Sequence, residues 1–329
     1  MIKKIFFLAL ISLAANAQTP AVPQSSAPAT FVVADGSSSG TYKAMFKQMS
    51  QFCNVETTGL QVSEAESHGA VENLAKLIDN EVNGAFLHTD VIFYRNQSEK
   101  LEQRVQTLLA LYPEEVHILA LRQSRAFTEG KAFGFGKKPI DFEMLGDLKG
   151  RHVGAAGGGV ITANVINNKT DLNLIIDEFA NGDEALAALN SGQVDAVFYV
   201  GGAPLPNVAK LDGSQYKLLS INDSLLPRLQ DVYKTARITY TKLSKDQITT
   251  VAADALLVTK NYKTPKMIAA LGKFRECFYA HLEEMKETTG LHPKWQLVDA
   301  ANQGKWTWFE IPTAADPVPV KQATKAKKK

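Results

Sequence analysis

Cysteine is scarce in this chain: Cys53 and Cys277 are the only two in 329 residues. Neither belongs to a C-x-x-C pair, which argues against a thiolate zinc site. Long apolar runs are scarce as well. One stands at the start of the sequence, and no later run reaches the length of a membrane-spanning helix. An excess of one charge is also missing. The formal net charge is +2, but Lys3, Lys4 and the five lysines of the last nine residues create it. Of 36 basic residues, removing those seven leaves 29 against 34 acidic ones. The body of the chain therefore lacks the clustered positive face that nucleic-acid phosphates require. Nucleotide-binding spellings fail too. Gly36-Ser37-Ser38-Ser39-Gly40 has three spacers where a phosphate loop has four and a lysine. At the stretch Gly154 to Val160, "GAAGGGV", Ala156 within it and Thr162 just beyond it stand where a dinucleotide fingerprint needs glycine.

The ends of the chain have their own character. Residues 1–17, "MIKKIFFLALISLAANA", place two lysines before the apolar run Ile5 to Ala15, and Ala15-Asn16-Ala17 is an A-x-A site. This predicts a cleavable secretory signal peptide and a soluble protein of the periplasm. Residues 18–30 read as a Pro/Ser-rich linker, and residues 312–329 as a disordered Pro/Lys tail.

Between these ends, short apolar strands alternate with helical patterns, which indicates α/β units around a mainly parallel sheet. A weak internal repeat divides them. At an offset of 112 residues Leu74 matches Leu186, Leu77 matches Leu189, Val82 matches Val194 and Phe86 matches Phe198. Upstream of each copy a strand runs into a Gly-rich turn, "VVADGSSSGTY" and "HVGAAGGGVIT". The expectation is a two-lobed α/β protein with a cleft between the lobes. Residues 31–121 and 251–311 would form lobe I, and 122–250 lobe II. Val116 to Leu121 and Val251 to Val258 would be the two joining strands, and Lys266 to Glu287 one amphipathic helix of lobe I. In open α/β sheets the ligand site lies beyond the carboxyl ends of the strands.

The turn Gly36 to Gly40 spells G-x-S-x-G, the spelling of a nucleophile elbow around Ser38. Only residues 18–30 separate the leader from the first strand, so no upstream sheet supplies an oxyanion loop. A turn that holds a ligand, with the N–H groups of the following helix facing an anion, fits these residues better. An ordinary capped turn is the plain alternative. His68 and His88 read as polar pocket walls and not as metal ligands. Trp295, Trp306 and Trp308 read as packing residues. Gly130 to Pro139 reads as an exposed loop. Cys53 and Cys277 each lie on an apolar helical face. Two buried thiols and a disulfide both fit, and spacing does not choose between them.

Taken together, "GSSSGTY", "HGAVENLAKLIDNEVNGAFLHTD", "LYPEEVHILAL", "LGDLKGRHVGAAGGG" and "EALAALNSGQVDAVFYVGGAPLPNV" resemble the TAXI family, the solute receptors of a subset of TRAP transporters. The resemblance covers about residues 31–260. It implies a two-lobed periplasmic binding protein that closes on a small solute and delivers it to a membrane permease driven by an ion gradient. TAXI ligands include amino acids such as glutamate and related dicarboxylates. Gly40, Thr41 and Tyr42 match the family's G-T-Y, with Lys43 in place of a second tyrosine. Gly69-Ala70, Gly157 to Val160 and His88-Thr89-Asp90 stand where the family has hydroxyl or amide residues.

The expected function is a receptor, without cofactor, metal or catalysis, for a small organic anion. Ser38, Ser39, Gly40, Thr41 and Tyr42 would hold one end of the ligand. Ser67, His68, His88 and Asp90 would line the same lobe, and Gly158, Gly159, Tyr199 and Gly201 the other. A ligand-sensing protein that signals to a membrane partner is the alternative, and a serine hydrolase built on Ser38 a remote one.

Overall fold

The computed structural model describes residues 27–36, 40–127, 138–302 and 304–311. The leader, residues 18–26 of the linker, Ser38, Ser39, residues 130–137 of the loop and the 312–329 tail lie outside the described residues.

The chain opens with strand β1 (Ala29–Gly36), helix α1 (Thr41–Phe52), the short α2 (Val55–Thr58), β2 (Leu60–Glu66), α3 (Ala70–Ile78), β3 (Gly84–His88) and α4 (Thr89–Glu99). Tyr42, Met45, Phe46 and Met49 fall three and four residues apart, and this spacing makes one buried stripe of α1. The long strand β4 (Val105–Leu121) follows. Next come β5 (His152–Ala156), α5 (Gly158–Thr170), β6 (Ile175–Phe179), α6 (Gly182–Ser191), β7 (Ala196–Gly201) and α7 (Pro206–Ala209). Then β8 (Tyr216–Leu218), α8 (Leu226–Leu229) and β9 (Lys234–Ile238) lead to a second long strand, β10 (Ile248–Lys260). Helices α9 (Pro265–Ala280) and α10 (Leu282–Glu287) complete the order.

All ten strands join in one sheet, ordered β2-β1-β3-β10-β4-β7-β5-β6, with β8 on β4 and β9 on β10. The 112-residue repeat is visible in this order. β1, β2 and β3 are parallel in the order second-first-third, and β5, β6 and β7 are parallel in the same order. The offset carries Gly84, the start of β3, onto Ala196, the start of β7.

The two halves are joined by the antiparallel pair β4 and β10. Val105 to Glu115 of β4 pair with β10, and Glu115 to Ala120 pair with β7. On β10, Ile248 to Ala252 pair with β9, and Ala255 to Thr259 with β3. The chain thus passes from one half to the other near Pro113–Glu115 and Ala252–Asp254. Side chains alternate along a strand, so neighbouring Glu114 and Glu115 face opposite sides. Glu115 forms a buried ion pair with Lys294, its oxygens 2.5 and 2.8 Å from Nζ, and accepts from the Ala203 N–H at 2.8 Å. Trp295 beside it is fully buried, and Trp306 nearly so.

The expected helix Lys266 to Glu287 is broken at His281, which leaves the helical conformation at φ −102°, ψ 4°. The His281 ring Nδ1 lies 2.9 Å from the Cys277 carbonyl, the same acceptor that its backbone N–H reaches at 3.1 Å. That carbonyl is shared between ring and backbone at the break.

Cys53 and Cys277 are joined in a disulfide that links the end of α1 to α9 across 224 residues. A loop of this length restricts the unfolded chain strongly. Cys277→Ser should lower stability by roughly 2–5 kcal/mol in urea unfolding, and reductant should lower the wild type similarly. Identical midpoints for oxidised and reduced protein would show that the bond restrains nothing.

Candidate functional site

A cleft of about 490 Å³ opens between the two halves of the sheet. It lies where the parallel strands end, as the topology requires. One wall comes from the ends of β1 and β3 and the starts of α1 and α3. The other comes from the ends of β5 and β7 and the starts of α5, α6 and α7. The N-caps of α1, α3 and α5 are Gly40, Gly69 and Gly157, which have no side chain to satisfy the first-turn N–H groups. Helix α6 differs, because Asn181 caps the N–H groups of Asp183 and Glu184 at 3.1 and 3.0 Å.

Most of the residues proposed from sequence come together here. Gly40, Thr41, Tyr42, His68 and His88 line one wall, and Gly158, Gly159, Tyr199 and Gly201 the other. Two do not reach the lining. Ser67 is buried, and its hydroxyl donates to Asn73 Oδ1 and accepts from the Gly69 N–H at 3.2 Å, so it braces the turn before α3. Asp90 stands behind the wall, fully buried, and supports His88 through Nδ1. Ser38 and Ser39 lie outside the described residues.

Asp90 also accepts from the Thr162 hydroxyl of α5 at 2.7 Å and the Tyr233 hydroxyl at 2.6 Å. One carboxylate therefore ties the two halves together beside the cleft. Burial resists its charge, but His88, Tyr233 and Thr162 outweigh this and hold its pKa below the ordinary carboxylate range. Burial likewise opposes a charge on His88, and Asp90 with Glu114 overcomes it, so the imidazole pKa is raised.

The glycines of "GAAGGGV" serve this approach of the halves. A Cβ on Gly158 would overlap His88 Nε2 and come within 3.3 Å of the Ala70 side chain. A Cβ on Gly157, which has φ +51°, would lie 3.0 Å from the His68 carbonyl. Sequence reasoning places the backbone close to a ligand here. The structure places it against the opposite wall.

Six polar residues of the lining were not singled out from sequence: Asp35, Glu114, Asn181, Asp183, Asn207 and Lys210. Glu114 is buried and accepts from the Tyr42 hydroxyl through Oε2. Burial pushes its pKa up to about 7, against the pull of His88 and the Tyr42 hydrogen bond. Asp35 is fully buried, and burial pushes its pKa up to about 6 against the pull of Lys43. In the sequence "LYPEEV" the alternation of a joining strand was the one signal for Glu114. Nothing in "VVADG" marks Asp35 as different from a turn residue.

The Glu114 pKa lies higher in the folded than in the unfolded chain. The stability tied to it is present in full below about pH 4.5 and lost as pH rises through about 7. Glu114→Gln should therefore unfold on the order of 3 kcal/mol less readily than wild type at pH 8, and equally readily at pH 4. A variant no more stable at pH 8 would mean that the buried charge is already compensated.

The fold and cleft can be set beside known proteins. The substrate-binding protein of an amino acid ABC transporter is similar at 11% identity, over 81% of this chain and 98% of that one, with a TM-score of 0.46. The GluR0 ligand-binding core from Nostoc punctiforme, in complex with L-glutamate, is similar at 14% identity, over 81% and 95%, with a TM-score of 0.46. The periplasmic domain of BvgS from B. pertussis is similar at 14% identity, over 76% and 40%, with a TM-score of 0.45. The NMT1-like family matches residues 33–305, more than four-fifths of the chain. On that match the chain belongs to the NMT1-like family.

Proposed function

We propose that this protein is a periplasmic solute receptor that binds a small organic anion, an amino acid or carboxylate, between its two lobes. One observation carries the reading. Three helices, α1, α3 and α5, begin at glycines around a single cleft between the halves. Free N–H groups and aligned peptide dipoles at such starts favour a negatively charged group. The volume of about 490 Å³ suits a small molecule. The protein binds and releases its solute without chemistry. The Cys53–Cys277 disulfide accords with an oxidising compartment, as does the leader at residues 1–17.

The receiving partner in this reading is a TRAP-type membrane permease, as the TAXI resemblance implies. The lobes follow the bounds expected from sequence, residues 31–121 with 251–311 and residues 122–250, except that the chain crosses between them near Pro113–Glu115 and Ala252–Asp254. They turn on the strand pair β4 and β10, and closure brings the Gly157 to Gly159 turn against His68 and His88. Gly40, Thr41 and Tyr42 hold the anionic end of the ligand. His68 and His88 stand beside it, while Tyr199 and Gly201 complete the far wall.

Gly158→Val tests this arrangement. The added side chain overlaps His88 and Ala70. It should hold the lobes apart while leaving the fold intact, since valine is tolerated at a helix start. Small-angle scattering should give a larger radius of gyration for the variant than for wild type. Native mass spectrometry should find the small molecule that accompanies wild type lost from the variant. A variant with the wild-type radius and a retained ligand would refute closure at this turn.

A further inference from the structure

Carboxylates outnumber lysines on the cleft wall: Asp35, Glu114 and Asp183 line it against Lys210. Asp35 stands out among them. It sits where β1 meets β2, between the pairs Ala34–Ala65 and Gly36–Glu66, and has no residue opposite. A bulge of this kind turns one side chain away from the regular alternation. Gly36 follows it with φ +89°, a conformation that glycine adopts freely. Asp35 is among the residues that line the cleft and is fully buried, yet neither carboxylate oxygen has a hydrogen-bond partner among the described residues. Lys43 on α1 is the nearby cation, but its Nζ is held by Glu64 at 3.1 Å and Glu66 at 3.2 Å on β2. Those two carboxylates add to the negative field at Asp35 and do not relieve it.

The other charges of the cleft do not supply a partner. Lys210 lines the cleft just after α7 in the opposite half and makes no hydrogen bond to Asp35. His88 is occupied by Asp90. His68 is mostly exposed and lies 2.6 Å from Glu72. Glu114 adds a second buried carboxylate, reached through Tyr42, whose ring also lies against Gly36. A buried carboxylate left without hydrogen bonds is unfavourable, and native proteins retain such groups where a ligand completes them. A second carboxylate on the ligand would worsen the balance near Asp35. A positive group would correct it.

We propose that the solute carries a cationic nitrogen, an ammonium or amine group, and that the Asp35 carboxylate is its counter-ion. The inference rests on the receptor reading above. The helix starts take the ligand's carboxylate, and Asp35 takes its nitrogen through charge-assisted N–H···O bonds. Asp35 is thus the residue that separates amino acids from plain carboxylates of the same skeleton.

The mature protein, unfolded and refolded to remove bound solute, is titrated by calorimetry with L-amino acids and with matched carboxylates lacking the amino group. Succinate is matched to aspartate, glutarate to glutamate and propionate to alanine. The expected result is that an amino acid binds and its deaminated partner does not. Asp35→Asn should then lose roughly 10- to 150-fold in affinity for it. Asp35→Ala should behave alike, with thermal unfolding confirming that both variants fold. Wild-type affinity should fall about tenfold per pH unit below about pH 6, as Asp35 takes up a proton, and the Asn variant should be flat over that range. Equal affinity for both members of a pair, or an Asn variant that binds as wild type does, overturns the proposal and leaves the receptor reading intact. Failure of every compound in both sets overturns the receptor reading and this inference with it.

Discussion

The pairing of β4 with β10 is the constraint on which the rest of the molecule hangs. These are the two long strands, and each belongs to both halves of the sheet. Their antiparallel ladder sets where the halves meet and which residues face the gap between them. Because side chains alternate, the crossing at Glu114 and Glu115 sends one carboxylate into the cleft and the other to the opposite face. There Lys294 neutralises Glu115, within a well-packed setting beside Trp295. Among the described residues, Glu114 accepts a hydrogen bond from the Tyr42 hydroxyl alone. Two neighbouring, chemically identical residues thus have different fates. One is a structural ion pair, which needs its partner to tolerate burial. The other is a carboxylate whose burial raises its pKa to about 7.

The same logic separates His88 and Asp90 from Asp35. All three are buried around the cleft. His88 and Asp90 satisfy each other, and Asp90 draws further hydrogen bonds from Thr162 and Tyr233 across the gap. That cluster holds the halves in register. The glycine run at Gly157 to Gly159 lets them come close enough for it to form, because any side chain at Gly158 would meet the imidazole. Asp35 stands outside that network. The wall therefore combines a polar network that is complete with a carboxylate, Asp35, that has no hydrogen-bond partner among the described residues.

Much of the architecture was legible in the sequence because it depends on local pattern. The 112-residue repeat is a repetition of strand, Gly turn and helix, and the sheet shows it as two parallel triplets with the same strand order. Gly40 to Tyr42, His68, His88 and the glycines of α5 were readable as cleft residues because they end strands or start helices, the positions where open α/β sheets keep their ligand sites. Ser67 and Asp90 sit at equivalent positions but face inward. One residue of register decides between lining and support, and spacing alone does not show it.

What the sequence determined by itself is the set of elements, their repetition and the small residues at the turns, since these follow from periodicity and backbone preference within a few residues. The partners of Cys53 and Cys277, separated by 224 positions, needed the packing of α1 against α9. The role of the glycine run needed the opposite lobe. The isolation of Asp35 needed a bulge between two strands and the capture of Lys43 by Glu64 and Glu66. Charge in a folded protein is a property of neighbours brought together from distant parts of the chain. Tertiary structure alone decided which carboxylates are satisfied and which are not.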